Sequence, residues 1–178
     1  MTTSPLDLNA YIRDIPDFPK PGIVFKDITP VLADARALAA AVEQLAEPIR
    51  SLDVDVVIGA EARGFLLGSA VARELGAGFV LARKPGKLPY TTVRAEYLLE
   101  YGSDALELHS DAVTEGTRVL VHDDLLATGG TARALVELVE LLGGRVVGCA
   151  FLIELAFLAG RERLGDHDVH ALITYERE

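Results

Sequence analysis

Apolar and polar positions along the chain form two kinds of pattern. Five short runs are almost continuously apolar and rich in β-branched residues, which is typical of strands buried on both faces of a sheet. These runs are 54–58, 79–82, 119–121, 146–153 and 169–175. Between most of them, apolar residues recur at helical spacing. The recurring positions are Leu38, Val42, Leu45 and Ile49, then Leu66, Ala70, Val71 and Leu75, then Leu135, Leu138, Val139 and Leu142, before Gly143 and Gly144.

This alternation predicts the fold class. Strands that alternate with helices form α/β proteins, in which a mostly parallel, twisted sheet is flanked by helices on both faces. Ligands of such sheets bind beyond the carboxyl ends of the strands. Asp123 and Asp124 follow the run 119–121, so we expect both carboxylates at that edge of the sheet.

Two stretches interrupt the alternation. Residues 13–32 contain four prolines and predict an irregular, stiffened segment, which makes residues 1 to about 32 a plausible hood over a ligand. Residues 83 to about 110 begin with a basic loop and continue as two extended runs, 96–101 and 106–109, separated by Gly102-Ser103-Asp104. This pattern predicts a flexible lid followed by a hairpin.

Length and composition limit the class of protein. With 178 residues, 50% of them hydrophobic, the chain can bury one core, and we expect a single domain over residues 1–178. Its one cysteine, Cys149, lies in an apolar run and indicates a reducing compartment, the cytoplasm. Residues 1–9 lack the features of a signal peptide, and no apolar run approaches the roughly 18 residues of a membrane span. The net charge of -10 argues against nucleic acid as a partner.

The segment 119–131 carries the most specific chemistry of the chain. A strand, two aspartates and a glycine-hydroxyl turn stand directly in front of a helix that begins near Thr131. Backbone N–H groups of the turn, its hydroxyls and the helix dipole favour a phosphate, whereas two carboxylates suit a vicinal diol. Together they predict a ribose 5-phosphate site. The phosphate residues are Ala127, Thr128, Gly129, Gly130 and Thr131, and the diol residues are Asp123 and Asp124.

Other phosphate-binding motifs fit less well. A Walker motif requires Lys and Ser or Thr after its second glycine, but the only comparable spacing, Gly59 to Gly64, is followed by Phe65. The three glycines of a dinucleotide-binding fingerprint are absent after the first strand. A solvated strand end or a metal site is the alternative for an isolated Asp-Asp pair, and the Ala-Thr-Gly-Gly-Thr that follows here makes it the minority interpretation.

The same segment carries a family resemblance. Asp-Asp-Leu-Leu-Ala-Thr-Gly-Gly-Thr resembles the signature of the type I phosphoribosyltransferases, which bind 5-phosphoribosyl 1-diphosphate, and is similar in particular to their adenine-specific members. Segments 15–30, 61–65, 83–89 and 99–102 also resemble family motifs, in family order. His122 departs from the pattern, because the family usually has an apolar residue there. We interpret it as a core or strand-end histidine that needs a partner or stays neutral.

For the diphosphate, the resemblance implies a turn and a basic lid. The turn often carries a non-proline cis peptide in the family, and the lid closes over the reaction and can reach the partner subunit's site. The residues are Glu61, Ala62 and Arg63 in the turn, with the cis bond at Glu61-Ala62, and Arg83, Lys84 and Lys87 in the lid. Taken without the resemblance, these segments are an ordinary strand-to-helix turn and a solvated charge run.

For the base and the proton transfer, the resemblance implies four further residues. Val24, Phe25 and Lys26 match the family's adenine-binding segment, where a backbone N–H and carbonyl meet the base and an aromatic ring stacks on it. Glu100 matches the general acid/base, and Arg63 assists the departing diphosphate. The alternatives are core packing for Val24 and Phe25 and an exposed strand position for Glu100.

The reaction implied by the resemblance is a step of purine salvage. It is the Mg²⁺-dependent transfer of 5-phosphoribosyl to N9 of adenine, which forms AMP and diphosphate, in a homodimer. Because Mg²⁺ usually keeps water and substrate ligands, no certain protein ligand is assigned to it. A phosphoribosyltransferase for another purine, such as xanthine, is one alternative, although residues 145–153 contain no lysine to recognise an oxopurine. A phosphoribosyl-diphosphate-sensing regulator without catalytic activity is the other.

Overall fold

A computed structural model describes residues 5–98 and 103–177. Its helices are α1 (Thr29–Ala33), α2 (Ala35–Ala46), α3 (Gly64–Leu75) and α4 (Gly130–Leu141). Short 3-10 helices span Leu8–Tyr11, Glu47–Leu52, Ala156–Leu158 and Gly160–Leu164. The strands are β1 (Arg13–Pro16), β2 (Val24–Asp27), β3 (Val56–Ala60), β4 (Gly78–Ala82), β5 (Thr92–Leu98), β6 (Ser103–His109), β7 (Arg118–Leu126), β8 (Arg145–Leu155) and β9 (Val169–Tyr175).

The five predicted buried runs form one sheet. Its strand order is β4-β3-β7-β8-β9, and every neighbouring pair is parallel. Alternate residues of β3 point to opposite faces: Val57 joins the core beneath α2 and α3, and Ile58 joins the core beneath α4 and the β5–β6 hairpin. The predicted α/β class with helices on both faces is therefore confirmed.

Strand β7 is longer than the run 119–121 predicted. It continues to Leu126, with Asp123 paired to Phe151 and Leu125 paired to Ile153 of β8. The predicted strand end at 121 is therefore too early, whereas the expectation that both aspartates stand at the carboxyl end of the strand is confirmed, because they belong to its last four residues. Pairing with β8 continues through these polar residues because the hydrogen bonds of a ladder join main-chain groups and do not require apolar side chains.

The proline-rich segment 13–32 is more regular than predicted. β1 and β2 form an antiparallel hairpin in which Ile15 faces Phe25, so the prediction of an irregular segment is wrong. The prolines are compatible with this hairpin because they occupy the last residue of β1, where Pro16 faces Val24, the turn, and the first turn of α1, and none of these positions needs a backbone N–H.

The second interruption of the alternation contains the predicted hairpin. β5 and β6 pair in antiparallel register, with Ala95 opposite Leu106. Ser103 and Asp104 lie in β6, so the prediction that these two residues belong to the turn is wrong. The connecting residues 99–102, which include Glu100, lie outside the described residues. No helix in the part of the chain that the structure describes is long and apolar enough to cross a membrane.

Candidate functional site

The turn between β7 and α4 forms one wall of a cavity of about 160 Å³. Gly129 precedes α4 with φ of +80°, and no side chain of the described residues caps this helix. The first N–H groups of an uncapped helix have no intrahelical acceptor and favour an anion. The cavity is lined by Arg63, Tyr97, Asp123, Asp124, Leu125, Leu126, Ala127, Thr128, Gly129, Gly130, Thr131 and Ala132.

Both aspartates line this cavity. Asp124 is only 2% exposed, and the Asp123 carboxylate accepts a hydrogen bond of 2.9 Å from the backbone N–H of Asp124. Burial, followed by the neighbouring Asp124 charge, raises the pKa of Asp123 well above its ordinary value. Burial also raises the pKa of Asp124, against the opposing effect of Arg63. Burial therefore disfavours two adjacent negative charges here, and a cation or hydrogen-bond donors reduce this cost.

Arg63 connects three predicted parts of the site. Its Nε atom lies 3.2 Å from Oδ2 of Asp124, and its guanidinium lies 5.1 Å from the centre of the Phe25 ring. Arg63 belongs to the turn after β3, Asp124 to β7 and Phe25 to β2. One side chain therefore brings the predicted diphosphate turn, diol pair and base segment into contact.

The turn after β3 requires glycine beside the aspartates. A Cβ atom on Gly64 would lie 2.9 Å from Oδ1 of Asp123 and 3.2 Å from the carbonyl oxygen of His122. Any larger residue would push against β7, so this glycine permits the close approach of the turn to the diol pair. The Glu61-Ala62 peptide bond of the same turn is cis, as the resemblance implies.

The basic segment 83–87 is held by carboxylates. Arg83 Nε lies 2.9 Å from Oε2 of Glu61, which also accepts a hydrogen bond of 3.0 Å from the Lys84 backbone N–H. Lys84 Nζ lies 2.9 Å from Asp104, and this contact raises the pKa of Lys84 and lowers that of Asp104. Lys87 is exposed. Glu61 thus anchors the basic segment through its carboxylate.

A second, more apolar cavity of about 340 Å³ lies beside the predicted base segment. Its lining includes residues of the hood, of the end of β8 and of the predicted phosphate-binding turn, residues 127–131, which is called the phosphate turn below. The lining residues are Lys20, Ile23, Val24, Lys26, Thr128, Leu155, Phe157 and Leu158. The Lys26 ammonium is paired with Asp14 at 2.8 Å and lies 4.1 Å from the centre of the Tyr175 ring. Lys26 therefore connects β1 and β2 of the hood through its ion pair, and connects the hood to β9 through its contact with the Tyr175 ring.

The structure adds residues that sequence reasoning missed. Tyr97 lines the smaller cavity and its hydroxyl interacts with Thr131, while burial raises its pKa. The period-two pattern of β5, in which Ala95 and Tyr97 face the core, could have indicated it. Phe157 and Leu158 were missed because nothing in their own sequence distinguishes them from an ordinary loop.

His122 is fully buried and stays neutral. Burial lowers its pKa to about 4, which fits the expectation of a core histidine. Within residues 5–98 and 103–177, no group of three or more His, Cys, Asp or Glu side chains could hold a metal ion. Mg²⁺ usually keeps several waters and binds largely through substrate phosphates, so a site without such a group is compatible with it.

An uncapped glycine turn, paired carboxylates and an arginine-bearing turn at the carboxyl edge of a parallel sheet are the arrangement expected of the phosphoribosyltransferase class. A family model described as the phosphoribosyl transferase domain matches residues 31–177. The adenine phosphoribosyltransferase of Myxococcus xanthus is 58% identical over 174 residues, which cover 98% of this chain and 95% of that protein.

Solved structures give the same result. The crystal structure of adenine phosphoribosyltransferase from Thermoanaerobacter pseudethanolicus matches with a TM-score of 0.92 and 55% identity, covering 94% of this chain and 98% of that one. The Saccharomyces cerevisiae enzyme, solved with an imino-altritol bisphosphate and adenine, matches with a TM-score of 0.88 and 38% identity, covering 93% of this chain and 96% of that one. The chain belongs to the adenine phosphoribosyltransferase family.

Proposed function

We propose that the protein transfers the 5-phosphoribosyl group from 5-phosphoribosyl 1-diphosphate to N9 of adenine in purine salvage. The bond between C1′ and the diphosphate oxygen breaks, the bond between N9 and C1′ forms, and the products are AMP and diphosphate. The observation that carries the proposal is Arg63, which contacts both Asp124 and Phe25 and so joins the sugar site to the base segment. Family membership supports the same reaction.

The sugar phosphate would occupy the smaller cavity. The 5-phosphate accepts hydrogen bonds from the N–H groups and hydroxyls of residues 127–131, and the ribose diol donates to Asp123 and Asp124. Ligand hydroxyls compensate the aspartate charges that burial otherwise disfavours. This arrangement fixes C1′ relative to the turn that carries Arg63, and positioning of this kind is a large part of catalysis in group transfer.

The diphosphate would leave toward the cationic side of the site. Arg63 and the backbone of Glu61 and Ala62 face it from the turn, and Arg83, Lys84 and Lys87 face it from the basic segment. Mg²⁺ bound to the diphosphate oxygens would neutralise the charge that develops on the leaving group. The carboxylates of Glu61 and Asp104 hold the side chains of Arg83 and Lys84 in place, and the diphosphate would replace these carboxylates as the ion-pair partner.

Adenine would bind along the free edge of the hood. In the described residues β2 has a single strand neighbour, β1, so the second edge of Val24–Asp27 is unpaired. Backbone N–H and carbonyl groups of this edge can match the acceptor at N1 and the donor at N6 of adenine. Phe25 presents its ring, and the apolar cavity beside Val24 excludes water. Glu100, outside the described residues, is proposed to take the N9 proton.

The test of the proposed function is diphosphate release from the purified protein with 5-phosphoribosyl 1-diphosphate and Mg²⁺. Adenine, hypoxanthine, guanine and xanthine are compared in parallel. We expect release with adenine alone, with AMP as the co-product. Release with xanthine instead would keep the mechanism and transfer the specificity to an oxopurine. Silence with all four bases, together with binding of the diphosphate substrate, would indicate a sensing protein and reject the proposed reaction.

We also propose that the chain is one domain, acts as a homodimer and resides in the cytoplasm. Both hydrophobic cores share one sheet, which supports a single domain. The edge strand β4 leaves Leu81 41% exposed, and Leu66 on the adjoining α3 is 50% exposed, so this edge supports self-association. The buried, unpaired Cys149 is typical of a reducing compartment.

Sedimentation velocity tests the dimer. The wild type is expected to sediment with twice the mass of one chain, and Leu81→Glu is expected to shift it toward the monomer because an edge charge opposes strand burial. Glu162→Lys, which changes an exposed residue far along the chain, is the control. A monomeric wild type at the concentrations of the activity assay would exclude the dimer.

A further inference from the structure

The segment between β8 and β9 lies directly against the phosphate turn. It comprises the 3-10 helices Ala156–Leu158 and Gly160–Leu164. A Cβ atom on Gly160 would overlap the carbonyl group of Ala127 and lie 2.9 Å from the backbone nitrogen of Gly129. A Cβ atom on Gly129 would in turn overlap the carbonyl of Gly160. Two backbones are therefore in contact here, and neither tolerates a side chain at this point.

The segment is fixed to the sheet by one arginine. Arg161 Nε donates a hydrogen bond of 2.9 Å to Oε1 of Glu154, and its Nη2 atom contacts Oε2 of the same carboxylate. Arg161 Nη1 donates to the Val169 carbonyl at 2.8 Å. Glu154 is 5% exposed and lies near the end of β8, so its carboxylate is a rigid anchor. Arg161 thus joins β8 to the start of β9 and holds the segment between them.

The same segment forms part of the apolar cavity. Phe157 and Leu158 line it together with Thr128 of the phosphate turn and Val24 of the hood. At its other end, Leu164 is 1% exposed in the core that α4 also enters. The phosphate turn is therefore packed on one side by its own helix and on the other by a segment that also limits the space for the base.

We propose that Gly160 and Arg161 are positioning residues for the phosphate turn. Arg161, anchored by Glu154, presses the Gly160 backbone against Ala127 and Gly129, and this contact keeps the turn in the conformation that accepts the 5-phosphate. The proposal rests on the proposed transferase function for its kinetic consequences, and nothing in the reaction chemistry passes through Arg161.

The test compares Arg161→Ala, Arg161→Lys and the double variant Glu154→Leu/Arg161→Leu with the wild type. The primary readout is the dissociation constant of ribose 5-phosphate by calorimetry, and the second is the separation of KM from kcat. For Arg161→Ala we expect ribose 5-phosphate binding to weaken about tenfold and KM for 5-phosphoribosyl 1-diphosphate to rise similarly, with kcat changed less than about threefold. Arg161→Lys should recover part of the affinity, because it keeps the charge but loses the bidentate contact.

The double variant separates positioning from stability. Replacing the buried Glu154 and its half-exposed partner Arg161 with leucine leaves no unpaired carboxylate, so the thermal midpoint should return toward the wild-type value while the weakened binding persists. Glu162→Ala, an exposed neighbour in the same segment, is the matched control and should bind normally. Unchanged ribose 5-phosphate affinity in Arg161→Ala, or recovery of affinity together with stability in the double variant, would overturn the proposal.

Ribose 5-phosphate binding also separates this proposal from the proposed function. If the wild type transfers nothing to adenine but Arg161→Ala still weakens binding of the sugar phosphate, the reaction is rejected and the positioning role stands. If the wild type transfers normally and Arg161→Ala binds normally, the reaction stands and the positioning role is rejected.

Discussion

The phosphate turn and the basic segment are built in opposite ways. The phosphate turn, residues 127–131, is packed by backbone against Gly160, and Gly129 and Gly130 are buried. The basic segment, residues 83–87, is largely exposed and is held by ion pairs from Arg83 to Glu61 and from Lys84 to Asp104. Backbone packing makes a preformed site, whereas partly exposed ion pairs can exchange a carboxylate for a ligand phosphate.

Because of this difference, we expect the sugar phosphate and the diphosphate of the substrate to be bound by different kinds of interaction. Under the proposed function, the sugar phosphate would meet a site whose geometry is fixed before binding, so changes there should reduce binding sharply. The diphosphate would meet cations that must leave carboxylate partners, so its binding should depend on ionic strength. The two halves can therefore be told apart by salt and by pH.

The largest effect is expected from the preformed half. Replacing both Asp123 and Asp124 with asparagine removes the charged acceptors for the diol. We expect kcat/KM to fall at least about 100-fold, because each lost charge-assisted hydrogen bond costs about 1.5–3 kcal/mol. Steady-state kinetics with adenine as the acceptor measure this fall in kcat/KM. Asp166→Asn/Asp168→Asn makes the same charge change at exposed positions before β9 and is the control. Activity within about threefold of wild type would remove the diol role.

A smaller effect is expected from the basic segment. Arg83→Ala removes the ion pair to Glu61 and one cation, and we expect KM for 5-phosphoribosyl 1-diphosphate to rise about tenfold. Raising the salt to about 0.3 M should raise the wild-type KM and affect the variant less, because screening acts on a charge that the variant lacks. Arg94→Ala, which breaks an exposed pair with Glu96, is the matched control. Equal salt dependence of wild type and Arg83→Ala would contradict an electrostatic role.

The smallest effect on activity, but a distinct effect on stability, is expected at His122. Its pKa is about 4 in the folded protein against 6.5 ordinarily, so protonation favours the unfolded chain. Its contribution is complete above pH 6.5 and is lost as the pH falls toward 4. Between pH 7 and pH 5 the wild type should lose about 2 kcal/mol of unfolding free energy that His122→Leu retains. Urea unfolding at both pH values measures the difference.

His170→Leu, at a partly exposed position in β9, is the control for the His122 measurement. It should lose stability with falling pH as the wild type does. The same pH slope in wild type and His122→Leu would show that another buried group dominates acid unfolding. The Asp123 and Asp124 pair acts in the opposite direction, because carboxyl groups whose pKa is raised by burial favour the folded state as the pH falls.

Much of the fold was predictable because its strands are buried on both faces. The run 169–175 coincides with β9, and the periodic positions Leu135, Leu138 and Val139 lie in α4, with Leu142 directly after its last residue. The regular hairpin in residues 13–32 was not predicted because proline suggests irregularity locally, whereas the ladder between β1 and β2 places its prolines where no N–H is required. The carboxyl end of β7 was missed for a related reason. The sequence around Asp123 has the composition of a loop, but its backbone continues to pair with β8.

The sequence alone determined the chemical groups of the site, their order and the alternation that puts them at one edge of a parallel sheet. Its local patterns decide this because a period of two or of 3.6 residues fixes which side chains can be buried together. Only the tertiary structure decided that Arg63 touches both Asp124 and Phe25, that Glu61 holds Arg83, and that Gly160 supports the phosphate turn. These contacts join residues from different strands and turns, and such distances depend on packing of the whole core rather than on any local pattern.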